Sequence, residues 1–171
     1  MSEGQAFAAA HWQQLYERLE KPLYNLAFRY VWVAQEAEDV VHDAFLQLWA
    51  RRERIESATA DRYLWTSVLN LARKRRRWAR AKRFVLFEEW EQQSPGAHAA
   101  DAAASQEADG ARLRAAIEKL PEKLRTVLLL AEFSEMGYDE IAQLLAIPKG
   151  TVASRRHLAV LHLRERLGAP S

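Results

Sequence analysis

Cysteine is absent from this 171-residue chain, which excludes a disulfide framework, a thiolate zinc site and a cysteine nucleophile together. No window approaches the roughly 18 uninterrupted apolar residues that a membrane span needs. Met1 to Trp12 carry an acid, no basic start and no long apolar stretch, so they do not read as a signal peptide. A cytoplasmic protein without membrane insertion is the expectation. The strict apolar–polar alternation of half-buried strands is missing, and so are internal repeats and long low-complexity tracts. Net charge is nearly absent: 25 basic against 23 acidic side chains leave +2, which taken whole says nothing about partners. What is present is apolar material. Hydrophobic residues make up 49%, enough to bury a core and to argue against wholesale disorder. The length suits one compact domain or two small ones.

The near-neutrality is a cancellation between blocks. Residues 1–50 carry a net −4, residues 51–83 a net +9, residues 84–111 a net −6 and residues 112–171 a net +3. Charge segregated in this way points to surfaces that face different partners. The third block holds no lysine or arginine, and from Gln92 to Ala111 it reads QQSPGAHAADAAASQEADGA, without a large apolar side chain. Such a stretch cannot anchor a core, although its alanines permit transient helix. It predicts a flexible linker over 92–111, between a first domain at 1–91 and a second at 112–171.

Both flanks read as helix. Phe7, Leu15, Leu19, Leu23, Leu26, Ala27 and Tyr30 recur at helical spacing over 7–31, with Pro22 expected to kink or divide the segment. Ala37, Val40, Val41, Ala44, Phe45, Leu48 and Trp49 form one broad apolar face from Glu36 to Arg51. A third helix is predicted from about Asp61 to Arg83. Beyond the linker, helices are predicted near 112–119, 122–133, 138–145 and 149–167, punctuated by Pro121, Gly137 and Pro148-Lys149-Gly150. The fold class is all-α, in two small bundles.

Three surfaces carry chemistry. In YDEIAQLLAIPKGTVASRRHL (138–158), Ile141, Leu145, Ile147 and Val152 are apolar and Ala142 is small. This is helix-turn-helix spacing: the small residue lets the second helix cross close to the first, and Val152 plugs the joint. The start of the second helix offers Lys149, Thr151, Ser154, Arg155, Arg156 and His157. A helix entering the major groove needs such a set, hydroxyls and cations for phosphates and Arg for guanine edges. An ordinary helical hairpin with a solvated basic face would show the same spacing.

From Arg73 to Arg83 eight of eleven residues are basic, with Trp78 inside the run. As one helix this run repels itself unless a polyanion is near. With Tyr63, Trp65 and Trp78 close by, it favours nucleic acid over a merely solubilising patch. Two such surfaces in tethered domains suggest one duplex read at two sites. On the second helix Glu36, Asp39, Asp43 and Gln47 recur at three or four residues opposite the apolar face, with Leu46 beside them. They suit docking of a basic partner, or a plain solvated face. Glu38, Asp39 and His42 lie within helical reach of one another, but a carboxylate–histidine metal site needs ligands from a second helix, and no matching motif is present. Neither metal nor cofactor is expected.

The segments AEDVVHDAFLQLW (37–49), ADRYLWTSVLNLARKRRR (60–77) and LPEKLRTVLLLAEFSEMGYDEIAQLLAIPKGTVASR (120–155) stand in this order around a polar linker. So arranged, the chain resembles an extracytoplasmic-function sigma factor, the two-domain minimal form of the bacterial sigma-70 family. The first segment is similar to the helix that docks on the clamp helices of core RNA polymerase, the second to the part that recognises and opens the −10 element, the third to the domain that reads the −35 element. The resemblance implies that Glu36, Asp39, Asp43, Leu46 and Gln47 meet basic residues of the polymerase. It implies a loop from Arg54 to Ala60, with Arg54, Ile55, Ser57, Ala58 and Thr59, that takes a flipped-out base. Tyr63, Trp65, Asn70, Arg73, Lys74, Arg76 and Arg77 would hold that strand, and Lys149, Thr151, Ser154, Arg155, Arg156 and His157 would enter the −35 groove. The implied partners are core polymerase (clamp helices of the beta-prime subunit and flap of the beta subunit), promoter DNA, and an anti-sigma factor or other regulatory protein. No catalysis of its own is implied.

Five positions depart from the family pattern. Lys74 stands where members often carry an acid, and Gly137 replaces the usual Ser before the scaffold helix, giving up a side-chain cap. Ala146 holds a turn position usually given to Gly. Leu158 and Val160 fall where arginines are usual, so with Leu161 they leave the recognition helix partly apolar, suited to weaker −35 contacts or to a protein partner. Two other readings stand beside the first: a free-standing helix-turn-helix regulator, dimeric through its N-terminal bundle, and a metal-dependent helical-bundle enzyme using Glu38, Asp39 and His42.

Overall fold

Leucines spaced three and four apart decide how the chain starts. Leu15, Leu19, Leu23 and Leu26, with Ala27 and Tyr30, are all buried on one side of α1 (Ala9–Val31). The computed structural model describes residues 9–87 and 101–168, with side chains over 11–82 and 108–168. α1 runs through Pro22 as one helix, so the expected division at that residue does not occur. Burial of Leu19, Leu23 and Leu26 around the proline, worth about 1.5–3 kcal/mol each, outweighs the ~3 kcal/mol that an interior proline costs. Trp32, left-handed at φ 58, ends the helix with its N–H on the Phe28 carbonyl at 2.7 Å.

The chain then turns into α2 (Ala34–Ala50), which buries Ala37, Val40, Val41, Ala44, Phe45 and Leu48. A turn over residues 51–56 leads into α3 (Ser57–Phe87). The first half of α3 closes a three-helix bundle with Ala60, Leu64, Trp65, Val68, Leu69 and Ala72. From Arg73 to Lys82 no described side chain is buried, so the same helix leaves the core as it becomes cationic. Outside the core, Arg18 of α1 forks onto Asp61 of α3 with two contacts of 2.7 Å.

The chain divides into two compact units, Met1–Glu89 and Trp90–Ser171. The second holds α4 (Asp101–Glu118), α5 (Glu122–Phe133), α6 (Tyr138–Leu145) and α7 (Lys149–Leu167). The last three match the predicted ranges. α4 starts at Asp101, well before the predicted 112, so residues 101–111 of the expected linker are helical; 92–100 lie outside the described residues. The alanines of this stretch favour helix by propensity; among the described side chains, residues 108–113 are exposed and Ala116 and Ile117 are buried. Among the described residues there is no strand, and the all-α expectation holds.

The turn between α4 and α5 is clamped by a buried cation that the sequence reading passed over. Arg125, 2% exposed, donates Nε to the Ile117 carbonyl at 2.9 Å and one terminal nitrogen to the carbonyls of Glu118, at 2.8 Å, and Leu120. Its other terminal nitrogen reaches a Glu122 carboxylate oxygen at 2.9 Å. The guanidinium therefore satisfies the carbonyls that the end of α4 leaves open. Ala159 of α7 packs with Leu120 and Leu128, and Leu124, Val160 and Leu163 cover that cluster.

Candidate nucleic-acid and partner interfaces

Helix geometry sorts the predicted residues of the first unit. Along α3, Thr59, Tyr63, Asn70, Arg73, Lys74 and Arg77 follow steps of three and four on the side turned away from the buried residues. Thr66, exposed and on the same stripe, was not singled out, though the spacing from Thr59 to Arg77 marks it. Trp65 does not belong to this surface: at 4% exposure it is a core residue between Leu64 and Val68, which corrects its assignment to DNA. The expected loop is also shorter than supposed. Arg54 and Ile55 lie in the turn, but Ser57, Ala58 and Thr59 form the first turn of α3 and Ala60 is buried. Thr59 Oγ1 donates back to the Glu56 carbonyl at 3.0 Å. Tyr63 accepts from Arg51 at 2.8 Å, with the Arg51 guanidinium 5.9 Å from its ring centroid. Arg76 flanks the stripe, and Trp78 stands among the cations 70% exposed.

On α2 the structure brings Glu36, Asp39, Asp43, Leu46 and Gln47 to one side, away from the buried face; Leu46 is 51% exposed. Two of these acids are already engaged. Arg75 of α3 places one terminal nitrogen 3.3 Å from an Asp39 oxygen and the other 3.2 Å from an Asp43 oxygen. Arg75 shares the column of Val68 and Ala72, three and four residues apart, and that periodicity could have separated it from its outward-facing neighbours. Among the described residues no three His, Asp or Glu side chains gather as metal ligands; Asp39 of the Glu38, Asp39 and His42 trio faces a guanidinium instead.

In the second unit α6 and α7 form the helix-turn-helix. Ile141 and Val152 are fully buried at their joint. Gly137 precedes α6, its N–H donating to Glu140 Oε2 at 2.8 Å. Ala146 ends α6 in the left-handed conformation, φ 52 and ψ 48, where a Cβ is strained and the usual Gly would not be. Of the predicted DNA-facing set on α7, Ser154 and His157 are exposed, and Thr151 and Arg155 half-buried. Lys149 pairs with Asp139 at 2.6 Å. Arg156 forks onto Glu132 Oε1 at 3.1 and 2.7 Å, and that hydrogen bond raises its already high pKa. The two unusual apolar positions separate: Val160 packs against the core, whereas Leu158 is 46% exposed beside Leu161 at 39%.

Two families match the chain, each within one unit. Sigma-70 region 2 matches residues 15–83 and Sigma-70 region 4 matches residues 110–163. An RNA polymerase sigma-E factor of Streptomyces antibioticus is 35% identical over 133 residues, 77% of this chain and 71% of the relative. The ECF RNA polymerase sigma factor SigE of Mycolicibacterium smegmatis is 26% identical over 169 residues, and there the chain spans 66% of the relative's length. In fold, the chain is similar to CnrH in its complex with the cytosolic domain of CnrY, at TM-score 0.68 and 24% identity, covering 94% of this chain and 89% of the other. It is likewise similar to the sigma factor RpoE of Bartonella quintana in complex with the anti-sigma factor NepR, at TM-score 0.66 and 22% identity, covering 93% and 98%. The chain belongs to the extracytoplasmic-function group of the sigma-70 family of RNA polymerase sigma factors.

Proposed function

We propose that this chain directs core RNA polymerase to specific promoters and helps open them, with no reaction of its own. The observation that carries this is the presence, on two compact units of one chain, of a region 2 match at 15–83 and a region 4 match at 110–163. The acidic side of α2, with Glu36, Asp39, Asp43, Leu46 and Gln47, docks on the basic clamp helices of the beta-prime subunit. The flap of the beta subunit and an anti-sigma factor are further partners. The outward stripe of α3, with Tyr63, Asn70, Arg73, Lys74, Arg76 and Arg77, follows the −10 strand, and Arg54, Ile55, Ser57, Ala58 and Thr59 border the base drawn out of it. Base extrusion costs a few kcal/mol, which stacking and phosphate contacts offset at about 1–3 kcal/mol per stacked base. The exposed ring of Trp78 is placed among those cations to stack.

The second unit presents the start of α7 to the −35 major groove, with Lys149, Thr151, Ser154, Arg155, Arg156 and His157. Residues 92–100 belong to the acidic, lysine- and arginine-free stretch that joins the two units in sequence. Among the described residues no helix is long and apolar enough to cross a membrane, and the place of action is the cytoplasm. In vitro transcription tests the reading. The full chain added to core polymerase should start transcripts on a promoter from its own genomic neighbourhood, and Asp43→Asn with Gln47→Ala should abolish them by blocking core binding. Failure to bind core polymerase would overturn it.

A further inference from the structure

Within the basic run, the Arg75 guanidinium spans two carboxylates of the helix opposite, 3.3 Å from Asp39 and 3.2 Å from Asp43. It lies on the core side of α3, next in column after Val68 and Ala72, and its side chain is 31% exposed. The two acids keep 47% and 46% exposure, so a partner can still reach them. The contacts are longer than the ~2.7–2.9 Å of a tight charge-assisted pair. An ion pair this exposed contributes little to the fold, so its significance lies in what it withholds.

We propose that Arg75 is an internal competitor for the docking side of α2, holding Asp39 and Asp43 until a partner arginine takes them. This rests on the reading of α2 as the polymerase-docking helix. The incoming group must satisfy two carboxylates one helical turn apart. A planar guanidinium does this with its fork, whereas an ammonium is a point charge that meets one of them. A surface carrying only scattered lysines therefore displaces Arg75 less readily than an arginine does, and the pair acts as a modest filter against generally basic surfaces as well as a restraint on affinity. Arg75 is a positioning residue here, acting through Asp39 and Asp43.

The test is the affinity of the full chain for core polymerase, measured by equilibrium titration. Arg75→Gln should bind about three- to fivefold tighter than the parent, the range one exposed ion pair spans. Arg75→Lys, which keeps the charge and loses the fork, should fall between them and covers the case in which the glutamine variant folds poorly. Arg80→Gln removes a cation from an exposed position of the same helix and should leave the affinity unaltered. In the Asp43→Asn background the gain from Arg75→Gln should shrink, a non-additivity that a merely structural role would not produce. If Asp43→Asn weakens binding while Arg75→Gln and Arg75→Lys bind no tighter than the parent, the competition is wrong and the docking surface stands. If Asp43→Asn leaves binding unchanged, the docking reading falls and the competition with it.

Discussion

At the scale of single residues, two positions in the second unit show a side chain at odds with its place, with opposite consequences. Ala146 adopts φ 52 at the end of α6, where a Cβ crowds the backbone. Ala146→Gly should stabilise the unit by about 1 kcal/mol, read as a higher melting temperature with unchanged helix content. Arg125 is a cation inside a hydrophobic helix, yet four acceptors between Ile117 and Glu122 surround it. Arg125→Met should cost about 3 kcal/mol, because it strands buried carbonyls as well as deleting a charge-assisted set of bonds; chemical denaturation checks it. Neither value could be read from composition. The cue for Arg125 was a cation directly before the TVLLL run, and for Ala146 a Cβ at a helix stop before Ile147-Pro148.

At the scale of elements, legibility followed punctuation. The ranges 122–133, 138–145 and 149–167 emerged because Pro121, Gly137 and Pro148 mark helix ends in backbone terms, by a fixed φ, a missing N–H or a free Cα. The start of α4 was not legible, since an alanine-rich polar stretch reads equally as linker and as helix by propensity. Trp65 was misassigned because an aromatic near cations suggests stacking, while its spacing from Leu64, Val68 and Leu69 already placed it inside. α7 offers a sharp contrast between neighbours. Val160→Arg forces a charge against Leu120, Leu128 and Ala159 and should cost about 2 kcal/mol of stability. Leu158→Arg sits on an exposed position and should change stability by less than about 0.5 kcal/mol. It should tighten −35 binding by roughly two- to fivefold, as one added surface cation allows. Thermal melts with a promoter titration separate the two effects. If Leu158→Arg leaves promoter affinity unaltered and weakens a protein partner instead, the apolar patch of Leu158 and Leu161 serves that partner.

For the whole molecule, the sum of +2 conceals a first unit in which residues 1–50 are net acidic and residues 51–83 net basic. About six cations of α3 and its approach meeting phosphates predict a slope near −4 when log affinity for single-stranded promoter DNA is plotted against log salt. A holoenzyme titration between 50 and 200 mM salt, on the order of the range where counterion release dominates, measures it. A slope near zero would mean that the run from Arg73 onward touches no phosphate. The order of the charged blocks was legible at this scale. The ion pairs were not, since Lys149, Arg156 and Arg75 spend part of their charge on Asp139, Glu132, Asp39 and Asp43.

The continuity of α3 sets a further condition. Its thirty-one residues form one unbroken helix, buried in the bundle as far as Ala72 and without a buried side chain from Arg73 to Lys82, so these cations are cantilevered on the domain's own helix rather than hung from it on a loop. A cantilever transmits torsion. One residue inserted just after Ala72 would rotate everything beyond it by about 100° and advance it by ~1.5 Å, leaving every cation in the chain but turning the charged stripe off its bearing. Net charge and the buried face up to Ala72 would survive such a change; the phase between anchor and stripe, and the Arg75 contacts to Asp39 and Asp43, would not.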